Sequence, residues 1–228
     1  MKEARLSNSA EAVFPAEKGS GRYLSSLRYA LYVITHPFDG FWDLNREKKG
    51  SMAAAHTILA LFLITYVMKL MYTNFQFIMV PVQYINVYER IISLALIFLV
   101  LCLANWALTT LFDGKGRFKD IYMGLCYALT PYVLIQLPCI LLSHLLAYDE
   151  AEFYSVLISF SEIWCAFLAF IALMEIHDFG PAKTLIFIIA TVVGALVIIF
   201  LVMVLLSLIS DAYSFFVSLY KEIRFRLY

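Results

Sequence analysis

The chain has 228 residues, of which 63% are hydrophobic and 15% charged, and its formal net charge at pH 7 is zero. Soluble domains carry roughly 45–50% apolar and about 25% charged residues, so both departures make lipid the solvent for most of this chain. The length admits several spans of about 20 residues and excludes a separate soluble domain, and the balanced charge points to no nucleic-acid partner.

In chain order, residues 1–22 are polar and broken by Pro15 and glycines. They lack the apolar core of a secretory signal peptide, so the first span is expected to act as an uncleaved signal anchor behind a disordered N-terminus. Residues 23–51 follow, and in them Leu24, Leu27, Leu31 and Ile34 fall at i, i+3, i+7 and i+10. That spacing draws one apolar stripe on a helix, with Arg22 and Arg28 off the stripe and Pro37 as its stop. Phe38, Phe41 and Trp42 come next, then Arg46, Lys48 and Lys49. The pattern fits an amphipathic segment on the membrane surface, anchored by aromatic rings and held to anionic lipid by charge. It fits equally a helix packed on a partner or on the protein's own loops.

Five segments within residues 52–210 are long and apolar enough to cross a bilayer: Met52 to Met71, Ile91 to Phe112, Ile121 to Ala147, Phe153 to Met174 and Thr184 to Ile209. A backbone in lipid must satisfy its own hydrogen bonds, so the predicted fold is an all-α polytopic bundle. The third segment carries Pro131 and Pro138, the mark of a kink. Tyr72 to Tyr88 is interrupted by Asn74, Gln76, Pro81, Gln83 and Asn86, and reads as an interfacial loop or surface helix, with a re-entrant pass as the alternative. Residues 211–228 form a short basic tail.

Lys and Arg are concentrated before the first span and in the turn Lys115, Arg117, Lys119. The positive-inside rule therefore places the N-terminus and the turn Asp113 to Asp120 in the cytoplasm, and the acidic loop Tyr148 to Glu152 outside. Five crossings put the tail outside as well, against its Lys221, Arg224 and Arg226. Either the N-terminal charges dominate or the number of spans is even.

Ionisable and polar groups inside a span are the first functional candidates. Glu162 stands near the middle of the fourth span, where a carboxylate must be protonated, paired or wetted, and Asn105 and Gln136 are its candidate hydrogen-bond partners. Lys69 is placed to snorkel at the outer end of the first span, and His144 to face the interface. Glu175, His177 and Asp178 are neighbours but lack the spacing of a metal site, and Cys102, Cys126, Cys139 and Cys165 lie singly in apolar runs as packing residues. No nucleophile elbow, phosphate-binding loop or His-Glu-x-x-His is present, so neither cofactor, metal nor enzymatic activity is expected. The turn with Lys115, Arg117 and Lys119 could hold a lipid phosphate, although a positive-inside loop already explains its charge.

The run Asn105 to Leu134, with its basic glycine turn followed by Gly124, Tyr127-Ala128-Leu129 and Pro131, resembles the signature region of the YIP domain family of five-span membrane proteins. His177 to Lys183 is similar to the family's link before the last span, and Thr35-His36-Pro37-Phe38 to the pre-membrane segment of bacterial members. Eukaryotic members carry Asp-Leu-x-Gly-Pro before the first span, whereas here Asp43-Leu44 continues as Asn45-Arg46; this removes the basis for carrying over Rab GTPase binding. The resemblance implies a cytosolic N-terminus, five spans, a C-terminus on the opposite side and no catalysis. It also implies a choice of settings. Eukaryotic members resemble trafficking and membrane-shaping factors, and some bacterial ones accompany ABC transporters.

Three functions are expected from these features. The first is an adaptor or accessory subunit in a bacterial cytoplasmic membrane, bound to lipids and to another integral membrane complex such as an ABC transporter. The second is a solute or proton transporter using Glu162, Asn105 and Gln136. The third is a membrane-shaping, lipid-binding trafficking factor of Golgi or ER membranes using the wedge from Leu24 to Trp42.

Overall fold

The computed structural model describes residues 20–77, 86–112 and 114–227. Of residues 1–22, expected to be disordered, the first 19 lie outside the described residues and residues 20–22 are helical instead; the centre of the Tyr72 to Tyr88 segment (78–85) and Asp113 of the basic turn also lie outside.

Helix α1 (Ser20–Thr35) leads directly into α2 (Pro37–Arg46), Pro37 occupying the first turn of α2, where its missing N–H costs nothing. Five helices long and apolar enough to cross a membrane follow. They are α3 (Met52–Tyr72), α4 (Val87–Leu111), the pair α5 (Phe118–Ala128) and α6 (Thr130–Leu142), α7 (Ala151–His177) and α8 (Pro181–Leu227). Among the described residues there is no strand, and the protein is an all-α integral membrane bundle. Starts are set by capping: Ser51 Oγ accepts from the N–H of Ala54 at 3.1 Å, and Asn86 Oδ1 from that of Glu89 at 3.4 Å.

The third span is broken at Leu129, which ends α5 and precedes α6. Proline disfavours a helical residue before it and removes a donor, so Pro131 tips the chain into a new helix. Thr130 Oγ1 donates to the carbonyl of Tyr127 at 2.7 Å across this junction. The span ends at Leu142, short of the expected Ala147.

Helix α5 sits at the centre, packed by α1, α2, α3, α4 and α7. Ile121, Met123, Cys126 and Tyr127 from α5 join Tyr29 and Val33 of α1, Phe41 and Leu44 of α2, Ile58 of α3, and Leu168 and Ile171 of α7 in one core.

The N-terminal segment has a second apolar face beside the leucine stripe, and one of the three rings expected at the surface, Phe41, lies in the core. The face of α1 that meets the bundle is Ser26, Tyr29, Ala30 and Val33, whereas Leu24 and Leu31 are exposed and Leu27 and Ile34 half-buried. At 3.6 residues per turn the leucine stripe lies roughly 130° around the helix from the buried face, so α1 has two apolar sides. On α2, Phe38 and Trp42 are exposed but Phe41 is wholly buried. Adjacent helical residues point about 100° apart, so Phe41 and Trp42 cannot both serve as lipid anchors.

The last helix also differs. The basic tail does not leave the helix at Ile209: α8 continues to Leu227, 47 residues in all, or about 70 Å at 1.5 Å per residue.

Candidate functional site

Two of the stretches that carry the resemblance, Asn105 to Leu134 and His177 to Lys183, meet at one end of the bundle around His177, the last residue of α7. His177 is buried, and its two ring nitrogens face different elements. Nδ1 is 3.3 Å from the backbone N of Gly116, and Nε2 is 3.0 Å from Oδ1 of Asn105 on α4. A backbone N–H can only donate, so Nδ1 is the acceptor, Nε2 carries the proton, and it donates to Asn105. The Asn105 amide then donates from Nδ2 to Thr191 Oγ1 at 3.0 Å, and Thr191 Oγ1 donates to the carbonyl of Phe187 at 2.7 Å. The result is one directional hydrogen-bond chain from the basic turn through α7 and α4 to α8. Such a fully connected buried chain fixes the register of the elements it joins.

Glycine is required where that ring lies against the turn. A Cβ on Gly116 would stand 2.6 Å from both His177 Cε1 and Ile176 Cγ2, and one on Gly114 2.6 Å from Thr109 Cβ. On the surface of the same end, Lys115 Nζ donates to Asp178 Oδ2 at 2.8 Å, and Arg46 of α2 lies 3.6 Å from Oδ1. The hydrogen bond from Lys115 and its charge, with Arg46 adding, hold the Asp178 carboxyl below the ordinary carboxylate range. Asp178 itself is in the left-handed conformation (φ 58°) that ends α7, and Asn45 Nδ2 donates to the Glu175 carbonyl at 3.4 Å.

A second polar set locks α1 and α2 to the core. Tyr127 OH donates to the carbonyl of Ser26 at 3.1 Å and lies 2.6 Å from Ser26 Oγ. Asp43 pairs with Lys49 at 2.7 Å and accepts from Tyr29 OH at 3.4 Å. Burial, then the Asp43 charge, push the Tyr29 phenol well above its usual range. Burial works against the Lys49 ammonium, but its hydrogen bonds to Asp43 and Glu47 outweigh that and raise its pKa.

Glu162, with Asn105 and Gln136 as its expected partners, is hydrogen-bonded to neither. Its partner is Lys69 of α3, at 3.5 Å, and 56% of its side chain is exposed. Lys69 also stands 5.8 Å over the ring of Tyr132. Gln136 Nε2 donates to Ser161 Oγ at 2.9 Å, and Gln136 Oε1 has no partner among the described residues. Depth along a span was readable from sequence, but the face was not: Glu162 and Ser161 are adjacent on α7 and point about 100° apart. His144, expected at the interface, ties its Nε2 to the carbonyl of Tyr72 at 2.7 Å. Of the basic turn, Lys115 is used by Asp178, Arg117 by Asp120 at 2.8 Å, and Lys119 is exposed.

This arrangement binds helices together, and it leaves the His177 ring without a free lone pair for a metal. Among the described residues no group of three or more His, Cys, Asp or Glu is placed to hold one. The four cysteines are buried and unpaired.

The Yip1 domain family model matches residues 31–217, most of the chain. The chain belongs to the Yip1 domain family. In this Yip1-domain protein the match runs from α1 well into α8, so the meeting of the Asn105 stretch, the basic turn and His177 belongs to the matched region. Comparison with curated proteins and with solved structures found no match.

Sequence reasoning missed His177 and Thr191 as a unit with Asn105. The available signal was a buried-type polar residue on α4, a histidine at a helix end and two glycines in one turn, but the histidine stands 61 positions from Gly116 and 72 from Asn105.

Proposed function

We propose that this Yip1-domain protein is a non-catalytic membrane adaptor or accessory subunit that binds another integral membrane complex. The observation that carries the reading is α8. Its first half packs along α4, but from residue 199 to 226 every position is exposed except Val217, which is half-buried. A helix of about 70 Å exceeds the roughly 30 Å hydrocarbon core more than twofold. Its far portion therefore reaches beyond the bilayer carrying Tyr213, Phe215, Phe216, Tyr220 and the basic Lys221, Arg224 and Arg226. Aromatic and arginine side chains on a helix that its own bundle leaves uncovered are the composition of a protein contact. A transporter complex is the partner class that the bacterial side of the resemblance implies.

The transport reading is weaker, because Glu162 is paired with Lys69, and Asn105 and Gln136 are engaged elsewhere. The membrane-shaping reading keeps Leu24, Leu31, Phe38 and Trp42 as exposed apolar groups, although α1 and α2 are also part of the core. Deleting residues 22–49 would remove Phe41 and Leu44 from that core, so it cannot separate binding from folding.

Truncation after Ser210 can. In mild detergent the full chain is expected to co-purify in fixed stoichiometry with a defined membrane complex. The truncated chain should lose that complex while keeping its thermal unfolding midpoint. Purification of the full chain alone from native membranes, or a partner retained in full by the truncated chain, overturns the proposal.

A further inference from the structure

A cavity of about 440 Å³ opens between α1, α3 and α6, lined by Leu24, Leu27, Arg28, Leu31, Leu61 and Leu134, with Ile58 and Val133 beside them. Leu24, Leu27 and Leu31 belong to the leucine stripe of α1, of which Leu27 also packs on the core while Leu24 and Leu31 stay exposed. Leu24, Leu31, Leu61 and Leu134 are all at least 40% exposed, so the cavity is open at the side. Ile58 and Leu61 stand roughly 9 to 14 Å along α3 from its first residue. That places the opening inside a span, where only lipid has access.

The lining offers a water-soluble molecule almost nothing to bond. Thr130 is committed to the carbonyl of Tyr127. Arg28 is the charged residue of the lining, and none of the ion pairs among the described residues uses it. An apolar slot reached from lipid, with one guanidinium at its edge that no carboxylate among the described residues pairs with, matches one ligand chemistry: a hydrocarbon chain joined to a phosphate. The guanidinium fork donates a bidentate pair of hydrogen bonds to phosphate oxygens, and its stem can lie along the leucines while its head reaches the headgroup level. Among the described residues no carboxylate lines the cavity to receive a choline or ethanolamine ammonium, so the headgroup favoured is anionic.

We infer that this cavity is a binding site for an anionic glycerophospholipid, with one acyl chain between α1, α3 and α6 and the phosphate on Arg28. The bound lipid would complete the surface where α1 leans on the spans, so the N-terminal helix and the membrane form one packed unit.

The test uses the full chain in nanodiscs containing phosphatidylglycerol or phosphatidylcholine with a photoactivatable acyl chain, with crosslinks mapped by mass spectrometry. Phosphatidylglycerol should label the peptides of α1, α3 and α6 that line the cavity in preference to the lipid-facing part of α8. Arg28→Gln should cut that labelling about fivefold, the effect of roughly one basic contact, and reduce phosphatidylcholine labelling less, so that the preference for the anionic lipid shrinks. Leu61→Trp should reduce labelling by both lipids, whereas Leu103→Trp, equally exposed on α4, should not. Labelling spread evenly over the lipid-facing helices overturns the site, as does a lipid preference unchanged in Arg28→Gln. Absence of label at the cavity, the result if a protein segment covers it, overturns it too.

Discussion

Gly116 and His177 are in van der Waals contact as well as hydrogen-bonded: the Gly116 N–H points at Nδ1 over 3.3 Å, and a methyl group on Gly116 would overlap the imidazole at 2.6 Å. The contact makes the turn after α4 and the end of α7 a single unit. It also sets the direction of the whole chain of bonds, because an accepting Nδ1 obliges Nε2 to donate to Asn105.

The first prediction concerns that contact. Gly116→Ala forces the ring or the turn aside, and overpacking of this kind costs about 1–3 kcal/mol. Gly180→Ala is the control, since nothing lies within 4 Å of a Cβ there, and a surface change of this kind stays within about 0.5 kcal/mol. Thermal unfolding in detergent compares the two. Equal midpoints for both variants would show that the turn does not pack on His177.

The second concerns coupling along the bonded chain. Asn105→Ala strands the proton of His177, and His177→Ala strands the Asn105 carbonyl and the Gly116 N–H. Each should cost about 1–3 kcal/mol, as buried groups lose their partners. The double variant should fall short of the sum by about 0.5–3 kcal/mol, because one bond is counted twice. Strict additivity in the cycle would mean that the two side chains act independently.

How much of this was legible follows from the same residues. The five spans were readable because each is an unbroken apolar run, and the kink in the third was readable from Pro131. The length of α8 was not: Asp211, Lys221 and Glu222 look like the end of a span, yet no proline or glycine follows Gly194 to stop a helix. On α1, period 3.6 found an apolar stripe, but Tyr29, Ala30 and Val33 draw a second one, and periodicity does not say which of two faces the bundle takes. Glu162 was readable as a group needing a partner. Lys69 was also visible, but pairing positions 93 apart takes the fold.

The third prediction follows from that pair. Lys69→Met leaves the Glu162 carboxylate without its cation inside a span, and Glu162→Gln leaves the ammonium without its anion. Removing one member of a desolvated pair is worse than removing both. The order of unfolding midpoints should therefore place the double variant Lys69→Met, Glu162→Gln above Lys69→Met alone. A double variant less stable than either single one contradicts the pairing.

The fourth concerns pH. Asp178 has its pKa lowered in the folded state by Lys115, so its contribution to stability is fully present above the unfolded carboxylate value of about 4. It is lost as pH falls through the depressed folded value. Stability should drop as pH falls below the unfolded carboxylate value of about 4, and Asp178→Asn should flatten the part of that drop due to this group. Asp178 occupies a left-handed conformation, which glycine tolerates and alanine does not, so Asp178→Gly should be better folded than Asp178→Ala at pH 7. An acid response identical in Asp178→Asn and the parent assigns the pH dependence to other carboxylates.

The fifth concerns sidedness, on which the adaptor reading depends. Lysines and arginines cluster before α3 and between α4 and α5, so these regions are expected on the cytoplasmic side and the loop before α7 on the other. The native cysteines are buried, which leaves a low background for thiol labelling of single introduced cysteines in sealed vesicles. Lys119→Cys and Lys183→Cys should label from the cytoplasmic side, and Asp149→Cys from the opposite side. Lys221→Cys then decides how α8 is used. With five crossings it labels from the side of Asp149, and the far part of α8 must find its partner there. Labelling from the side of Lys119 would mean that α8 does not complete its crossing, and the exposed surface of residues 199–226 would face a cytoplasmic partner instead.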